Sequence, residues 1–315
     1  MTRDAFNRRH ALKLAVGGLA GAVAPLSACG GAGGGAEDIA VSEIADGVAL
    51  LSAAAFNVLA VRGPEGAVVI DAGDTAHADA VERLARRAVG SRRIATVFNT
   101  HWHHAQTGGN ARLASDGAPI IAHENTRLWL GAEIWVRWQD RTYDPAPPEA
   151  RPTETFYTTG EMDLGAGRLH YGYIRQAHTD GDIYVRLIDA NVIAAGGVVS
   201  GAGWPIVDWS TGGWYGGMVD GIEMLLTMTD ENTIVIPANG PALTQADLAA
   251  QHAMHTAIFD RLREDLRASR SPDEVVARAP TAEFDAEWGD PELFVRLAFE
   301  SLWGHVRTDG RVRAI

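Results

Sequence analysis

Two histidines, His101 and His103, lie two residues apart directly after an apolar run, residues 94–98, whose composition is typical of a β-strand. At a strand end or in an extended turn, side chains at this spacing point to one side. Neutral imidazole is the commonest protein ligand for metal ions, zinc included. We therefore expect this pair to begin a zinc site. The alternative is that both, with His104, are surface or core-edge histidines without a metal.

The stretch around this pair, residues 99–110, reads NTHWHHAQTGGN. It resembles the signature of the metallo-β-lactamase superfamily, in which His-x-His-x-Asp-His precedes a Gly-Gly pair. The frame is kept, but Ala105 stands at the position of the aspartate and Gln106 at the position of the second-site histidine. The resemblance therefore implies that a first metal site is present and that a second one has lost ligands.

Three later positions extend the resemblance in the expected order. His178-Thr-Asp-Gly-Asp182 resembles the next family motif, whose histidine completes the first metal site. At the end of the following strand, Gly197 stands where the family has the aspartate that bridges two metals. Asn239 stands where the family has its last histidine. The losses fall only on the bridge and the second site, so we expect one zinc ion per chain and no second one.

The resemblance implies a zinc ligand set of His101, His103 and His178. Three histidines leave one position open on a tetrahedral zinc ion, as in catalytic sites, and such an ion acidifies its bound water. We expect a zinc-bound hydroxide that hydrolyses a small molecule of unknown identity. Gln106 and Asn239 are neutral amides, which donate and accept hydrogen bonds but are not bases. His104 is the candidate substitute for the missing carboxylate base; the alternative is that it is exposed and idle.

A second hypothesis belongs to another class of protein. Because a fold does not determine an activity, the chain could be a catalytically inactive, lipid-anchored binding protein that keeps the cleft for a ligand. The two hypotheses differ in whether metal and turnover are lost together when His178 is replaced. The binding-protein hypothesis would be favoured if no substrate in a hydrolase panel is turned over and a ligand raises the melting temperature of the protein.

The surrounding elements predict an α/β (α+β) fold, which the resemblance identifies as the four-layer αβ/βα metallo-β-lactamase sandwich, over residues 39–245. Residues 246–315 are expected to form a helical extension on the same domain.

Asp71 follows a buried strand, and by resemblance it supports the active-site loops; it could also cap a turn or helix. Asp182 is expected to orient a ligand. Apolar spacing predicts one helix over residues 125–140, and a later helix with His252 and His255 on its polar face.

The first 29 residues are set aside from the fold. Arg8-Arg9 precede an apolar run that closes with Leu-Ser-Ala-Cys29, which resembles a twin-arginine signal peptide with a lipobox. Residues 30–38 are then a Gly-rich tether. These features predict an exported, periplasmic lipoprotein anchored in the membrane through Cys29.

Charge restricts the partners. The formal net charge is −13, and Lys13 is the only lysine. A surface this acidic argues against nucleic acid, because phosphate binding needs a basic face. It also disfavours direct binding to anionic membrane surfaces, so the lipid on Cys29 is the only expected membrane contact. The expected partner is a small-molecule substrate or ligand.

Overall fold

The computed structural model describes residues 35–305. The predicted signal peptide, Cys29 and residues 30–34 of the predicted tether lie outside this part. In chain order, the strands are β1 (Ala40–Ala45), β2 (Val48–Ser52), β3 (Asn57–Arg62), β4 (Ala67–Ile70), β5 (Ile94–Phe98), β6 (Ile120–His123), β7 (Ile134–Val136), β8 (Arg141–Tyr143), β9 (Glu154–Phe156), β10 (Thr159–Asp163), β11 (Arg168–Tyr173), β12 (Ile183–Leu187), β13 (Val192–Gly196) and β14 (Ile234–Pro237). The α-helices are α1 (Ala78–Ala88), α2 (His104–Thr107), α3 (Asn110–Leu113), α4 (Glu124–Leu130), α5 (Tyr215–Leu226), α6 (Gln245–Arg267), α7 (Pro272–Ala277), α8 (Asp285–Trp288) and α9 (Glu292–Ser301).

Two large sheets carry the fold. The seven-stranded sheet has the spatial order β1-β2-β3-β4-β5-β6-β9, and the five-stranded sheet has the order β10-β11-β12-β13-β14. Most neighbouring strands are antiparallel, but β4, β5, β6 and β9 run parallel to one another, as do β13 and β14. Strands β7 and β8 form a separate antiparallel pair.

The core lies in three apolar seams between four layers. Along β3, Val58 and Ala60 face helix α1, whereas Leu59 and Val61 face the second sheet, because successive strand residues point to opposite faces. Both faces of the seven-stranded sheet are apolar here because α1 covers one face and the second sheet covers the other. The five-stranded sheet is covered in the same way by α5, α6 and α9. The predicted four-layer αβ/βα sandwich is therefore confirmed.

Helix α6 lies in the third seam, and this corrects one expectation. His255 is not on a polar helix face: its side chain is fully buried, with Nδ1 3.0 Å from the Tyr215 hydroxyl of α5. The ring also contacts Phe294 of α9, at a centroid distance of 5.9 Å. The prediction was wrong because two helices cover this face of α6. Across residues 35–305, no helix is long and apolar enough to cross a membrane.

The single helix predicted over residues 125–140 is also wrong. Helix α4 ends at Leu130, and the chain continues as the β7–β8 hairpin, residues 134–143. Ile134 and Val136 pack into a small cluster with Trp102, while Trp135 between them is exposed. This alternation has the period of a strand, so the same apolar residues satisfied both patterns over a short window.

The parallel strands determine where the loops converge. β4 and β5 end at the same sheet edge, where the backbone N–H of Asp71 donates to the carbonyl of Phe98 at 2.7 Å. β13 and β14 likewise end together, and the N–H of Ala238 donates to the carbonyl of Gly196 at 2.8 Å. Loops after parallel strands meet at one edge, which is where open sheets place their sites.

Candidate metal centre

Three histidines converge at this edge. His101 and His103 lie in the turn between β5 and α2, and His178 lies in the loop that precedes β12. One ring nitrogen from each lies within 4.8 Å of the others. His101 and His178 are buried, and His103 is partly exposed toward a cavity. The fold therefore brings together residues from two distant parts of the chain into a group that could hold a metal ion.

The outer nitrogens of two of these rings have hydrogen-bond partners that only accept. His103 Nε2 lies 3.1 Å from a carboxylate oxygen of Asp208, and His178 Nδ1 lies 2.5 Å from the carbonyl oxygen of Ile206. Each ring must donate its proton outward, since neither an ionised carboxylate nor a carbonyl donates. In the neutral form of both rings, the inner nitrogens, His103 Nδ1 and His178 Nε2, are then unprotonated, and they lie 3.0 Å apart.

The third ring is oriented through a relay. Thr100 donates its backbone N–H and its hydroxyl to the carboxylate of Asp71, at 2.7 and 2.8 Å. Because the hydroxyl proton is used there, the oxygen accepts from His101 Nδ1 at 3.0 Å. With the proton on Nδ1, the other nitrogen of the neutral His101 ring, Nε2, carries no proton and can bind a metal ion. Burial raises the pKa of Asp71 to about 7, and the two hydrogen bonds from Thr100 oppose that rise.

Burial also favours the neutral rings that metal binding needs. It lowers the pKa of His101 well below its ordinary value, and the neighbouring histidines act in the same direction. Burial and the charge of His103 lower the pKa of His178 to about 3. Both rings are therefore neutral at physiological pH, and a metal ion need not displace a proton from either of them.

The partner of His103 was not predicted from the sequence. Asp208 is fully buried and accepts hydrogen bonds from the hydroxyls of Ser210 and Thr211, each at 2.6 Å. Although burial acts to raise its pKa, the hydrogen bonds from His103, Ser210 and Thr211 leave the pKa of Asp208 below its ordinary value. Trp102 donates to the Thr211 hydroxyl at 3.0 Å, which connects this group to the packing under the hairpin. Asp208 lies 105 residues after His103 and belongs to no motif with it, so this contact could not be predicted from the sequence.

Gly197 is packed directly against a metal-ligand candidate. A Cβ placed on it would lie 2.3 Å from Cδ2 and 2.5 Å from Nε2 of His178. Carbon atoms that are not bonded make contact near 3.5–4.0 Å, so any side chain here requires the imidazole to move. The structure therefore leaves no room for a bridging carboxylate at this position while His178 stays in place.

The other predicted second-site positions line the same cavity of about 400 Å³. Ala105 presents a methyl group, and Gln106 donates its amide to the carbonyl of Ala238 at 3.3 Å. Asn239 is half-buried, and its side-chain amide forms no hydrogen bond with any residue in the described range 35–305. Neutral amides and a methyl group do not provide the anionic or imidazole ligands of a second zinc site.

His104 lies at the rim of the cavity. Its Nε2 is 3.0 Å from the hydroxyl of Thr75, which donates its own proton to the carbonyl of Gly108 at 3.1 Å. His104 is therefore the donor to Thr75, and its Nδ1 carries no proton. Burial, followed by the charge of Arg141, lowers the pKa of His104. The ring is neutral and has a free acceptor nitrogen.

Asp182 acts on the loop of His178 and does not contact its ring. Its carboxylate accepts from the backbone N–H of Thr179 at 2.7 Å and from the Thr179 hydroxyl at 3.0 Å. Burial raises the pKa of Asp182 well above its ordinary value, against these hydrogen bonds. The buried carboxylate fixes the turn directly after the histidine, so its influence on the site passes through the backbone.

Comparison with known proteins agrees with this geometry. The chain matches the family model of the metallo-beta-lactamase superfamily over residues 56–277, and a search of curated proteins found no match. Among solved structures it is similar to a metallo-beta-lactamase from Pontibacter korlensis, at 18% identity and TM-score 0.57 over 69% of this chain and 99% of that one. It is similar to the DIM-1 metallo-beta-lactamase at 17% identity and TM-score 0.54, over 70% and 97%.

A double mutant of the sec-alkyl sulfatase PisA1 has a TM-score of 0.64 at 14% identity, over 84% of this chain and 50% of that one. At these identities the structural likeness shows the fold alone. The family model, however, spans more than half of the sequence. With the sandwich fold and the three converging histidines, this match shows that the chain belongs to the metallo-beta-lactamase superfamily.

Proposed function

We propose that this protein is a mononuclear zinc hydrolase that acts on a small molecule. The observation that carries the proposal is the pair of unprotonated nitrogens, His103 Nδ1 and His178 Nε2, 3.0 Å apart. When both rings are neutral and donate their outer protons to Asp208 and Ile206, two lone pairs face each other at this distance and repel. A cation bound to both nitrogens removes the repulsion. Three neutral imidazoles are the donor set of catalytic zinc sites.

The proposal specifies one zinc ion per chain. Gly197 has no room for a bridging carboxylate beside His178, and Ala105 offers no ligand atom. When bound, a zinc ion held by three imidazoles supplies water acidified to a pKa near 7 as a nucleophile.

The chain's own groups then have separate tasks. His104 is the proposed base, because its Nδ1 carries no proton and its Nε2 is fixed on Thr75. Asn239 lines the cavity, and its side-chain amide, which has no partner within residues 35–305, is proposed to hold an oxygen of the substrate. Trp138 closes one wall, with its ring centroid 5.8 Å from that of His103.

Metal content and turnover, measured together, test this function. The protein is purified without chelators, supplied with zinc and compared with His178→Ala by elemental mass spectrometry and on a panel of esters and lactones. His170→Ala is the matched control, since His170 lies on β11 against Tyr184 and outside the cavity. We expect about one zinc in the wild type and in the control, and loss of both metal and turnover in His178→Ala. Turnover that survives in metal-free His178→Ala would exclude the zinc mechanism.

One observation favours the alternative of an inactive binding protein. Among the described residues that line the cavity, the only carboxylate is Asp74, and its oxygen is held by the backbone N–H and ring of His77 at 3.0 and 2.8 Å. The site thus lacks the carboxylate that handles protons in related enzymes. Zinc binding without turnover on any panel member, together with a ligand-dependent rise in melting temperature, would support this alternative.

The cellular setting is also a proposal. The twin-arginine-like leader and the lipobox support export to the periplasmic side, with the chain held at the membrane by a lipid on Cys29. The acidic net charge of −13 supports a small-molecule partner and argues against nucleic acid. Mass spectrometry of the mature N-terminus tests the lipid: an unmodified Cys29 in the exported protein would contradict it.

A further inference from the structure

We infer that the cavity beside the three histidines selects an uncharged ester or lactone that carries an aromatic or branched apolar group, and that it discriminates against anionic analogues. This inference rests on the proposed hydrolase function and assigns the substrate class to that site. It follows from the walls of the cavity, from the charges around it and from one unpartnered amide.

Polar and apolar surface contribute comparably to the cavity, and its larger apolar side chains come from two segments of the chain. Val136 and Trp138 of the hairpin line one side, and Val199, Trp204 and Ile206 line the other. Trp204 stacks on Phe294, with a centroid distance of 4.7 Å and an interplanar angle of 9°. Because its Nε1 donates to the carbonyl of Gly289 at 3.0 Å, the indole is fixed and presents only carbon surface. Such walls bind aromatic or branched apolar groups.

The described lining contains no lysine or arginine that could bind an anion, and its basic side chains are four histidines. The sequence contains no lysine after Lys13, and no arginine lies among the described lining residues. The two arginines of the hairpin lie outside the described lining. Arg137 donates to Glu300 at 3.1 Å, and the guanidinium carbon of Arg141 lies 4.5 Å above the ring of Tyr143, from where its charge still acts on His104. Carboxylates, sulfates and phosphates in proteins are usually bound by such side chains. Away from the three histidines and any metal ion that they hold, an anionic substituent would therefore find no lysine or arginine in the described lining, and it would meet the acidic net charge of the chain.

One of the neutral polar side chains in the lining has no partner in the described part of the chain. The half-buried amide of Asn239 has no hydrogen-bond partner within residues 35–305, and it lines the cavity with the histidines. An amide of this kind matches the carbonyl or ether oxygen of an ester. In the reaction, the oxygen of water bonds to the acyl carbon and the bond from that carbon to the alkoxy oxygen breaks. One proton of the water goes to the alkoxy oxygen to give the alcohol, and the other is released to solvent when the acid ionises. The product is a carboxylate, which leaves a cavity that has Asp74 and no arginine in its lining.

Two probes of matched shape test the selection by charge. The zinc-loaded full chain is titrated calorimetrically with 4-(methylsulfonyl)acetanilide, which is neutral, and with 4-acetamidobenzenesulfonate, in which an anionic oxygen replaces the methyl group. Neither amide is expected to be hydrolysed during the titration. We expect the neutral probe to bind at least tenfold more tightly. Equal affinities, tighter binding of the sulfonate, or no binding of either probe at millimolar concentration would overturn the inference.

Three variants locate the effect in the cavity. Gln139 is exposed and lines the rim, so Gln139→Arg adds a cation without burying it. We expect this change to shift the affinity ratio toward the sulfonate by about fivefold, whereas Gln139→Met leaves the ratio unchanged. Trp138→Ala should weaken binding of the neutral probe by about tenfold. An unchanged ratio in Gln139→Arg would show that charge at the cavity does not control selection.

The outcomes separate this inference from the proposed function. If the protein binds no zinc and has no turnover but prefers the neutral probe in a Trp138-dependent way, the hydrolase proposal fails and the selectivity of the cavity stands. If zinc-dependent turnover is found but anionic esters are the better substrates, the hydrolase proposal stands and this inference fails.

Discussion

Asp208 holds the ring of His103 from a position 105 residues further along the chain, with a carboxylate oxygen 3.1 Å from Nε2. The carboxylate is fully buried, and two hydroxyls from the same turn orient it, so the ring has one stable tautomer. That tautomer presents an unprotonated Nδ1 toward His178. Metal-binding histidines commonly donate their second ring nitrogen in this manner, and the partner increases the basicity of the ligand.

We expect Asp208→Asn to weaken zinc binding about 10- to 100-fold, because the neutral amide no longer stabilises the donated proton on His103. The zinc affinity is measured by chelator competition, with circular dichroism as a check on folding. Asp180→Asn is the matched control: Asp180 is a partly buried acid near His178 whose carboxylate accepts from Trp129 at 2.7 Å and does not contact the histidines. Equal affinities for the wild type and Asp208→Asn would contradict the assigned role.

Gly197→Asp restores the family's bridging residue but should not create a second metal site. Its Cβ would lie 2.3 Å from a carbon of His178, so the ring must move out of the ligand position. We expect a tenfold or greater loss of zinc affinity and no more than one zinc per chain. The measurement is the metal-to-protein ratio after dialysis at fixed free zinc.

Gly304→Asp is the control for adding a carboxylate at a glycine, since a Cβ at Gly304 has no atom within 4 Å. It should bind zinc like the wild type. Two zinc ions per chain in Gly197→Asp would show that the histidine can move aside and that the missing carboxylate is the main reason for the absent second site.

The sequence allowed the sandwich fold to be predicted because most of its signals are local. Strands such as β3 and β4 are short apolar runs bounded by turn residues, and this pattern survives any tertiary context. The grouping of His101 and His103 follows from their spacing at a strand end. Their meeting with His178 required the family resemblance, since no local rule brings together side chains 75 residues apart.

The features that the sequence did not reveal depend on tertiary contacts. Asp208 has no periodic or spaced partner in the chain, and only folding places it beside His103. The hairpin at residues 134–143 was predicted as helix because its few apolar residues match both periods. The collision of a side chain at Gly197 with His178 depends on how closely the two loops approach, which residue types alone do not determine.

Asp71→Asn should weaken zinc binding although Asp71 contacts no histidine. Its carboxylate accepts a hydrogen bond from the hydroxyl of Thr100. The Thr100 oxygen is therefore left as an acceptor for His101 Nδ1. Once an amide N–H faces that hydroxyl, the Thr100 proton is free to turn toward Nδ1, and the His101 proton moves to the ligand nitrogen. We expect about a tenfold loss of zinc affinity, measured by chelator competition.

A double-mutant cycle with Thr100→Val tests the relay. If the effect of Asp71 passes through the Thr100 hydroxyl, the double variant should bind zinc as Thr100→Val does. Additive losses would mean that Asp71 acts by another route. Asn tolerates the left-handed backbone at position 71, where φ is 61°, so the substitution does not add backbone strain.

The buried ring of His255 makes stability depend on pH. Burial, and secondly the charge of His252, lower its pKa to about 3 in the folded protein, against 6.5 for an exposed histidine. Below pH 6.5 the unfolded chain binds a proton that the folded chain cannot bind, so the free energy of unfolding falls as the pH falls. The slope approaches about 1.4 kcal/mol per pH unit between pH 6 and pH 4, and it ends near pH 3.

His255→Phe removes this group and leaves the other histidines, so the quantity to compare is the difference in slope between wild type and variant. Urea unfolding at about pH 7.5, 6, 5 and 4 gives that slope. His252→Phe, three residues earlier on α6 and partly exposed, is the control and should keep most of the wild-type slope. If the free energy of unfolding has the same pH dependence in wild type and His255→Phe, His255 is protonated as readily in the folded protein as in the unfolded chain. Its buried contacts with Tyr215 and Phe294 argue against that outcome.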